Sequence, residues 1–228
     1  MTFLTYQGKV IIVTGGSSGL GKERVHQLAK HNPAKVYLTA RTNPLSRDRY
    51  GFFRIYKTSF QSLDILMNNA GLAGIPPGMT ADALEIQFGT NYMGPALLTK
   101  LLLPLLLETA KQPNSDVRII NLSSGIFKQA PKQGIIFADL ETPMQKTGSV
   151  AKYGQYKLGN YFFTKVCAQK YPTIKSVALH PGIVNTEIKS GALYTANGNE
   201  YTDSILKNDK LADEPWVWTE KEFTKHGF

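Results

Sequence analysis

The sequence predicts one α/β domain, built on a doubly wound parallel sheet, that spans residues 1–228. Short apolar runs rich in β-branched residues alternate along the chain with longer stretches of helical periodicity, as expected for strands joined by helical crossovers. A glycine-rich turn links the first of these strands to the first helix. A chain of this length also suffices for one such domain with a sizeable core.

The first strand is KVIIVT, which is apolar, β-branched and too short to span a membrane. The helix that follows contains KERVHQLAKH, with Val25, Leu28 and Ala29 on its inward face. The remaining elements follow the same alternation. The predicted elements are strand 9–14, helix 19–31, strand 35–40, strand 63–67, helix 80–110 with a kink at Pro104, strand 117–122, loop 125–149, helix 151–171, strand 174–180 and an irregular tail.

The turn between the first strand and helix reads Thr-Gly-x-x-x-Gly-x-Gly and predicts a cradle for a dinucleotide. Gly15 permits the tight turn, Gly19 lets backbone N–H groups approach a pyrophosphate, and Gly21 lets helix and strand pack closely. The positive end of the helix dipole then faces the phosphates. The spacing differs from the standard G-x-G-x-x-G, so a glycine turn in another kind of α/β domain is the alternative. The predicted cofactor-binding residues here are Gly15, Ser17, Ser18, Gly19, Leu20 and Gly21.

Tyr153 and Lys157 are four residues apart on a predicted helix, so both side chains leave the same face. A nearby ammonium favours the ionised form of a phenol. Such a phenol is suited to general acid–base chemistry on a carbonyl or an alcohol. Tyr-xxx-Lys pairs also arise by chance, and the pair alone does not establish a site.

Further motifs fall in a fixed order along the chain, and with them the sequence resembles the classical short-chain dehydrogenase/reductase family over residues 8–190. Within that family, YGQYKLGN resembles the retinol-dehydrogenase-like and fungal oxidoreductase branch. The motifs are Asn68-Asn69-Ala70-Gly71 after LDILM, Asn91 in QFGTNYMGPALLT, Ser124 at the end of RIINLSS, the Tyr153 and Lys157 pair, and His180-Pro181-Gly182-Ile183-Val184-Asn185-Thr186.

The resemblance implies a Rossmann fold and four catalytic residues. Tyr153 would exchange a proton with the substrate oxygen, and Ser124 would donate a hydrogen bond to the same oxygen. Lys157 would favour ionisation of Tyr153 and hold the nicotinamide ribose hydroxyls. Asn91 would fix a water that links Lys157 to bulk solvent.

Two alternatives accompany these roles, and a third is excluded. Ser123 is the rival for the active hydroxyl, and Asn91 could serve only as a packing amide. Tyr156 cannot be the tyrosine of the motif, because the residue four positions further on is Asn160.

The resemblance also implies a nicotinamide cofactor. Arg41 follows the second strand, where an acidic residue would grip the ribose hydroxyls of NAD, and a guanidinium there suits the 2′-phosphate of NADP. The sequence therefore favours NADP over NAD, unless Arg41, Arg47 and Arg49 form an ordinary solvated loop. The remaining cofactor contacts implied by the family motifs are Asn69, Ala70, Gly71, Tyr153, Lys157, Pro181, Gly182, Val184 and Thr186.

The composition of the chain limits which kinds of partner molecule we expect it to bind. Lys and Arg number 26 against 17 acidic residues, a net charge of +9, yet no compact basic run or nucleic-acid motif appears, so we expect no nucleic acid. Cys167 is the sole cysteine and predicts no disulfide. The start of the chain lacks a signal pattern, and LLTKLLLPLLL is too short to cross a bilayer. We expect a cytoplasmic protein with no metal and no transmembrane segment. In the family, the helix that corresponds to LLTKLLLPLLL often packs against a partner subunit, so this helix is a candidate homodimer face.

Two segments are too short for the family pattern. A helix, an edge strand and a second helix need about 35 residues, more than 41–62 provides, so the fold is predicted to be shortened around its third strand and in the C-terminal lid. NGNEYTDSI is the candidate final strand, and LADEPWVWTEKEF is a closing helix with Trp216 and Trp218 as packing anchors. The sequence thus predicts an NADP-dependent oxidoreductase that transfers hydride between nicotinamide and a carbonyl or alcohol, with an apolar substrate favoured. The alternatives are a truncated, defective member and a non-catalytic regulator that binds dinucleotide.

Overall fold

The computed structural model describes residues 6–39, 61–180, 193–194 and 200–228. Within these ranges the strands form a parallel sheet in the order β2-β1-β3-β4-β5-β6. The predicted doubly wound parallel sheet is confirmed. The strands are β1 (Val10–Thr14), β2 (Lys35–Thr39), β3 (Ile65–Asn68), β4 (Arg118–Leu122), β5 (Lys175–Leu179) and β6 (Leu193–Tyr194), and the main helices are α1 (Gly19–Ala29), α2 (Ile86–Ala110), α3 (Ser149–Lys170) and α4 (Asp209–Lys225).

Helices cover both faces of the sheet because successive strand side chains point in opposite directions. In β1, Ile11 and Val13 belong to the apolar cluster that includes Leu28 of α1. Ile12, between them, belongs to the cluster that includes Leu106 of α2 on the other face. Burial on both faces explains why β1 reads as a continuous apolar run rather than an alternating one.

The helix predicted from residue 80 begins at Ile86 instead. Met79 and Glu85 form an antiparallel bridge, and Ala83 between them has a positive φ of 56° that helical geometry excludes. The Glu85 carboxylate accepts a hydrogen bond of 2.7 Å from the N–H of Phe88 and so caps α2. The predicted start is therefore wrong by six residues.

The predicted closing helix is confirmed as α4, and both tryptophans pack as expected. Trp216 stacks on Phe163 of α3 with ring centroids 5.4 Å apart, and Trp218 lies edge-on to Phe88 at 6.0 Å. The final strand predicted in NGNEYTDSI is wrong where that segment is described, because the chain from Tyr201 onward is not a strand. The short β6 comes earlier and pairs with β5.

Four predictions about context stay predictions: the homodimer, the cytoplasmic location, the absence of a membrane segment, and the single domain over residues 1–228. By length and composition α2 could cross a bilayer, as many core helices could, and its Phe88, Tyr92 and Leu106 are buried in the domain. An ion pair of 2.6 Å links Lys100 of α2 to Glu220 of α4. The shortened segment 41–62 lies almost wholly outside the described residues.

Candidate active site

Three chain segments meet at the carboxyl edge of the sheet, the edge at which ligands bind in open α/β folds. The glycine turn leaves β1, the segment Asn69-Ala70-Gly71 leaves β3, and Ser123-Ser124 leaves β4. Since these strands are parallel neighbours, the three segments lie side by side.

The glycine turn needs its glycines for steric reasons. Gly15 has a φ of 68°, and a Cβ there would lie 2.9 Å from the Cα of Ala70. A Cβ on Gly21 would collide with the carbonyl oxygen of Gly15 and lie 2.5 Å from Nδ2 of Asn69. The turn is therefore folded tightly against the segment that follows β3.

The start of α1 fits a phosphate group. Ser17, Ser18, Gly19 and Leu20 are exposed, and Leu20 keeps 58% of its surface in solvent although it is a large apolar residue. Ser18 begins the helix in an extended conformation, and among the described residues its side chain makes no capping hydrogen bond and the first turn carries no acidic residue. Backbone N–H groups at such a helix end suit an anion such as pyrophosphate.

Thr14, which sequence reasoning did not single out, ties the glycine turn to the next segment. Its hydroxyl oxygen accepts hydrogen bonds from the N–H groups of Asn69 and Ala70 at 3.0 and 2.9 Å. In return, Nδ2 of Asn69 donates to the carbonyl oxygen of Thr14 at 2.9 Å. The only signal in the sequence was its position directly before the glycines.

Tyr153 and Lys157 project from the same face of α3, at the end of β4. Nζ of Lys157 donates a 2.8 Å hydrogen bond to the carbonyl oxygen of Leu122, which also accepts one from Nδ2 of Asn160 at 3.0 Å. The ammonium lies 5.6 Å from the centre of the Tyr153 ring, a cation–π distance. Burial lowers the pKa of Lys157 to about 8.

The two serines after β4 differ in burial and in the hydrogen bonds that they make. Ser123 is fully buried, and its hydroxyl donates to the carbonyl oxygen of Lys157 at 2.7 Å. Ser124 caps a short 3₁₀ turn, and its oxygen accepts the N–H of Ile126 at 3.3 Å. Since that contact uses only an acceptor site, Ser124 can still donate its proton. The geometry thus favours Ser124 over Ser123 as the hydroxyl that contacts substrate, and its role stays a prediction.

Asn91 lies in the π-helical turn Gly89–Met93 at the start of α2. Its Oδ1 accepts the N–H of Leu72 at 2.8 Å, and its Nδ2 donates to the carbonyl oxygen of Leu72 at 2.7 Å. A Cβ on Gly71 would lie 3.1 Å from Oδ1. These bonds are the packing role considered for Asn91, and they place it beside the predicted cofactor segment. Its predicted role in holding a water remains open.

Tyr156 is another residue of this site whose part in it sequence reasoning missed. It is only 2% exposed, and its ring centre lies 4.9 Å from that of Tyr153 and 5.3 Å from Nζ of Lys157. The phenol of Tyr153 and the amide of Asn91 are the polar side chains near its hydroxyl. Burial raises the pKa of Tyr156, and the neighbouring phenol of Tyr153 adds to the effect.

A third residue not foreseen, Tyr201, covers the chain after Ser124. Its hydroxyl lies 2.5 Å from the position that a Cβ on Gly125 would take, and its ring meets that of Phe127 edge-on at 5.7 Å. The C-terminal segment therefore contributes an aromatic wall next to Ser124. The predicted cofactor residues Arg41, Pro181, Gly182, Val184 and Thr186 lie outside the described residues.

Replacing Gly21 by Ala tests the cradle. We expect this change to destabilise the chain by about 1–3 kcal/mol and to weaken dinucleotide binding at least tenfold, because Gly15 and Asn69 must move apart. Thermal unfolding and cofactor fluorescence measure the two effects. Gly148→Ala is the matched control, since a Cβ there meets nothing within 4 Å. Equal affinity in both variants would show that the close approach at Gly21 is not part of the site.

Comparison of the chain with known proteins agrees with this geometry. Residues 51–195 match the family model described as short chain dehydrogenase. An oxidoreductase of Schizosaccharomyces pombe is 36% identical over 210 residues, which cover 79% of this chain and 62% of that protein. Mouse retinol dehydrogenase 13 is 36% identical over 213 residues, which cover 81% of this chain and 61% of that enzyme. The chain thus spans about three fifths of the length of these curated relatives.

The fold also matches a solved structure. The NADPH-bound carbonyl reductase from chicken fatty liver superposes with a TM-score of 0.60, at 21% identity, over 86% of this chain and 100% of that one. At that identity the likeness concerns the fold alone.

Proposed function

This chain belongs to the short-chain dehydrogenase/reductase family, and we propose that it is an NADP-dependent oxidoreductase that interconverts an apolar carbonyl compound and its alcohol. The observation that carries the proposal is the placement of Tyr153 and Lys157. Both lie on one face of α3, with Lys157 bonded to the end of β4 and Ser124 two residues beyond that bond. The start of α1 lies at the same edge of the sheet, and its backbone N–H groups suit a phosphate.

Each residue has a task in that reaction. The bound nicotinamide would supply the hydride for the carbonyl carbon. Tyr153 would give its phenol proton to the carbonyl oxygen, and Ser124 would donate a hydrogen bond to that oxygen as negative charge develops on it. Lys157, charged below about pH 8, would offset the negative charge left on Tyr153. In alcohol oxidation the same groups act in the opposite sense.

An apolar substrate is supported by the surroundings of Ser124. Ile126 keeps 42% of its surface exposed, and the side chain of Tyr201 lies over Gly125, next to Ser124. The mouse relatives named retinol dehydrogenases make a lipophilic carbonyl or alcohol the first class to test.

The decisive experiment is a titration of the purified protein with NADPH and with NADH, followed by cofactor fluorescence, and then a panel of aliphatic, aromatic and polyene aldehydes, ketones and alcohols. We expect NADPH binding and turnover with an apolar member of the panel. Failure to bind either cofactor would indicate a defective family member, and binding without turnover would indicate a regulator.

The choice of NADP rests on Arg41. Since solved family-fold structures include an NADPH-bound and an NADH-bound protein, fold likeness does not decide it. We expect Arg41→Asp to shift the NADPH/NADH affinity ratio at least tenfold towards NADH, because a carboxylate repels the 2′-phosphate and accepts the ribose hydroxyls. Arg49→Asp serves as the control. An unchanged ratio in the Arg41 variant would show that this side chain is merely solvated.

A further inference from the structure

Glu85, the residue directly before α2, contacts three segments of the chain at once. Its backbone N–H donates a 2.7 Å hydrogen bond to the carbonyl oxygen of Leu140, in the loop between β4 and α3. Its Oε2 accepts a 2.7 Å hydrogen bond from the N–H of Phe88 in α2. Its Oε1 lies 3.9 Å from Nζ of Lys152, in the first turn of α3. Glu85 therefore joins the loop to both helices.

These three segments are the ones that contain the predicted catalytic residues. The loop begins after Ser124, α2 contains Asn91, and Tyr153 follows Lys152 directly in α3. Tyr153 also packs against the apolar cluster to which Leu140 belongs. A shift of the first turn of α3 against the loop would therefore move Tyr153 relative to Ser124.

Lys152 is in an unfavourable place for a cation unless Glu85 faces it. Only 5% of Lys152 and 1% of Glu85 is exposed, and the free energy of removing two such charges from water is regained only if they pair well. The first turn of α3 is also the positive end of the helix dipole. Within the described residues that turn contains no acidic side chain, and the ion-pair partner of Lys152 is Glu85.

Neither capping nor stability alone accounts for this pair. The cap on α2 uses only Oε2 of Glu85, whereas Oε1 makes no hydrogen bond with any described residue. Neutral side chains of similar volume in place of a buried ion pair are often as stable or more stable. What the two charges add is a preference for one arrangement of α3 against the start of α2, because displacement of either segment leaves both buried charges unpaired.

We propose that Glu85 is a positioning residue of the reaction: through its ion pair with Lys152 it fixes the first turn of α3, and with it Tyr153, against α2 and the loop that follows Ser124. Both charged side chains are buried, so they act through the position of Tyr153 and not by contact with the substrate. The inference rests on the proposed function for its effect on turnover. The fixed position of the first turn of α3 is a property of the chain alone.

The first test needs no substrate and uses urea unfolding. Glu85→Gln removes the charge and keeps an acceptor for the N–H of Phe88, and Lys152→Met removes the other charge. We expect each single change to lower the folding equilibrium constant by about a hundredfold or more, because one buried charge is left alone. The double variant should fold with a constant within about tenfold of the unmodified protein.

Hydrogen exchange of the same variants, followed by NMR under native conditions, reports on position. In the double variant the amides of Lys152 and Tyr153 should exchange at least about tenfold faster relative to that of Thr164, which lies late in α3, because the first turn opens locally. Lys152→Arg retains a cation whose longer side chain can reach Oε1 of Glu85, so these amides should exchange as in the unmodified protein.

Turnover is the second test. The double variant should lose about tenfold to a hundredfold in kcat, because a misplacement of about 1 Å has an effect of that size, and Lys152→Arg should retain most of it. Affinity for NADPH should change by less than about twofold, since the predicted cradle is built from other segments. Lys100→Met is the control, because it breaks a partly exposed ion pair between α2 and α4 and should leave kcat unchanged.

Two results in the chain alone would overturn the proposal, whether or not the protein turns over any carbonyl. One is a double variant that is as unstable as the sum of the single changes, or that does not fold. The other is a double variant whose first turn of α3 exchanges like that of the unmodified protein, since the pair would then only stabilise the fold. If turnover is found, an undiminished kcat in the double variant, or a Lys152→Arg variant as slow as the double variant, would equally refute it.

Discussion

Replacing Tyr153 by Phe is expected to lower turnover by about 10²–10⁴-fold, the usual contribution of a positioned general acid or base. Phenylalanine removes the hydroxyl and keeps the ring. The packing of that ring against Tyr156 at 4.9 Å and beneath the ammonium of Lys157 should persist. Cofactor affinity should therefore change by less than about twofold, and thermal stability only slightly.

Steady-state kinetics with the best carbonyl of the panel and fluorescence titration with NADPH measure the two quantities. Tyr161→Phe is the matched control, since it removes from the same helix a phenol hydroxyl that bonds to the carbonyl oxygen of Leu206. A residual rate above about a tenth of the unmodified protein would remove Tyr153 from its assigned role. A loss of cofactor affinity in parallel with turnover would instead make Tyr153 a structural residue.

The parts of the fold that sequence predicts well are those in which local signals and burial agree. β1 is apolar on both faces because Ile11 and Ile12 enter different cores, and a continuous β-branched run is the signature of such a strand. The glycine turn is predicted because there is no room for a Cβ at Gly15 or Gly21, so that only glycine fits at these two positions. The pair of Tyr153 and Lys157 is predicted because one turn of helix brings them together whatever surrounds them.

The sequence-based predictions fail where tertiary contacts determine the local backbone structure. Residues 80–85 carry a helix-like pattern, but the bridge between Met79 and Glu85 and the hydrogen bond from the N–H of Glu85 to the carbonyl oxygen of Leu140 hold them in a turn. Leu140 is far along the chain, so no local window contains that information. The position of Tyr201 over Gly125 is likewise set by a distant segment.

Tyr156 was overlooked for a different reason. The motif spacing excludes it as the tyrosine that pairs with a lysine four positions on, and that exclusion is correct. The spacing does not reveal that Asn91, from another helix, approaches the same hydroxyl. A polar residue three positions from a catalytic candidate on the same helix face is a signal that deserves a structural test.

Replacing Lys157 by Met is expected to abolish turnover and, at the same time, to make the cofactor-free protein more stable at pH 7. The pKa of Lys157 is lowered by burial from 10.5 to about 8 in the folded chain. At pH 7 the group is charged in both folded and unfolded states, so the folded state bears the full unfavourable free energy of burying the charge. This is at most about 3 kcal/mol. Methionine removes the charge and keeps an unbranched side chain of similar length.

Two hydrogen bonds to the carbonyl oxygen of Leu122 decide how far the gain in the free energy of unfolding stays below that limit. The hydrogen bond from Nζ to Leu122 is lost, which is worth about 1 kcal/mol, but the carbonyl oxygen of Leu122 keeps its bond from Asn160 and is not left unpaired. A net stabilisation of about 1–2 kcal/mol is the result. Lys165→Met should have the opposite sign, because Nζ of Lys165 pairs with Asp209 at 2.7 Å and bonds to Leu206 at 3.1 Å.

The pH dependence separates this cause from simple repacking. Between about pH 8 and 10.5 the folded chain has released the proton of Lys157 while the unfolded chain still holds it, so the stability of the unmodified protein rises with pH across this window. The advantage of Lys157→Met should accordingly be largest at pH 7 and shrink as the pH approaches 10, as measured by urea unfolding without cofactor. An advantage that does not vary with pH would mean that methionine simply packs better. A loss of stability at pH 7 would show that the charge is compensated in the folded chain, and that Lys157 is not held there at the expense of stability for the sake of the reaction.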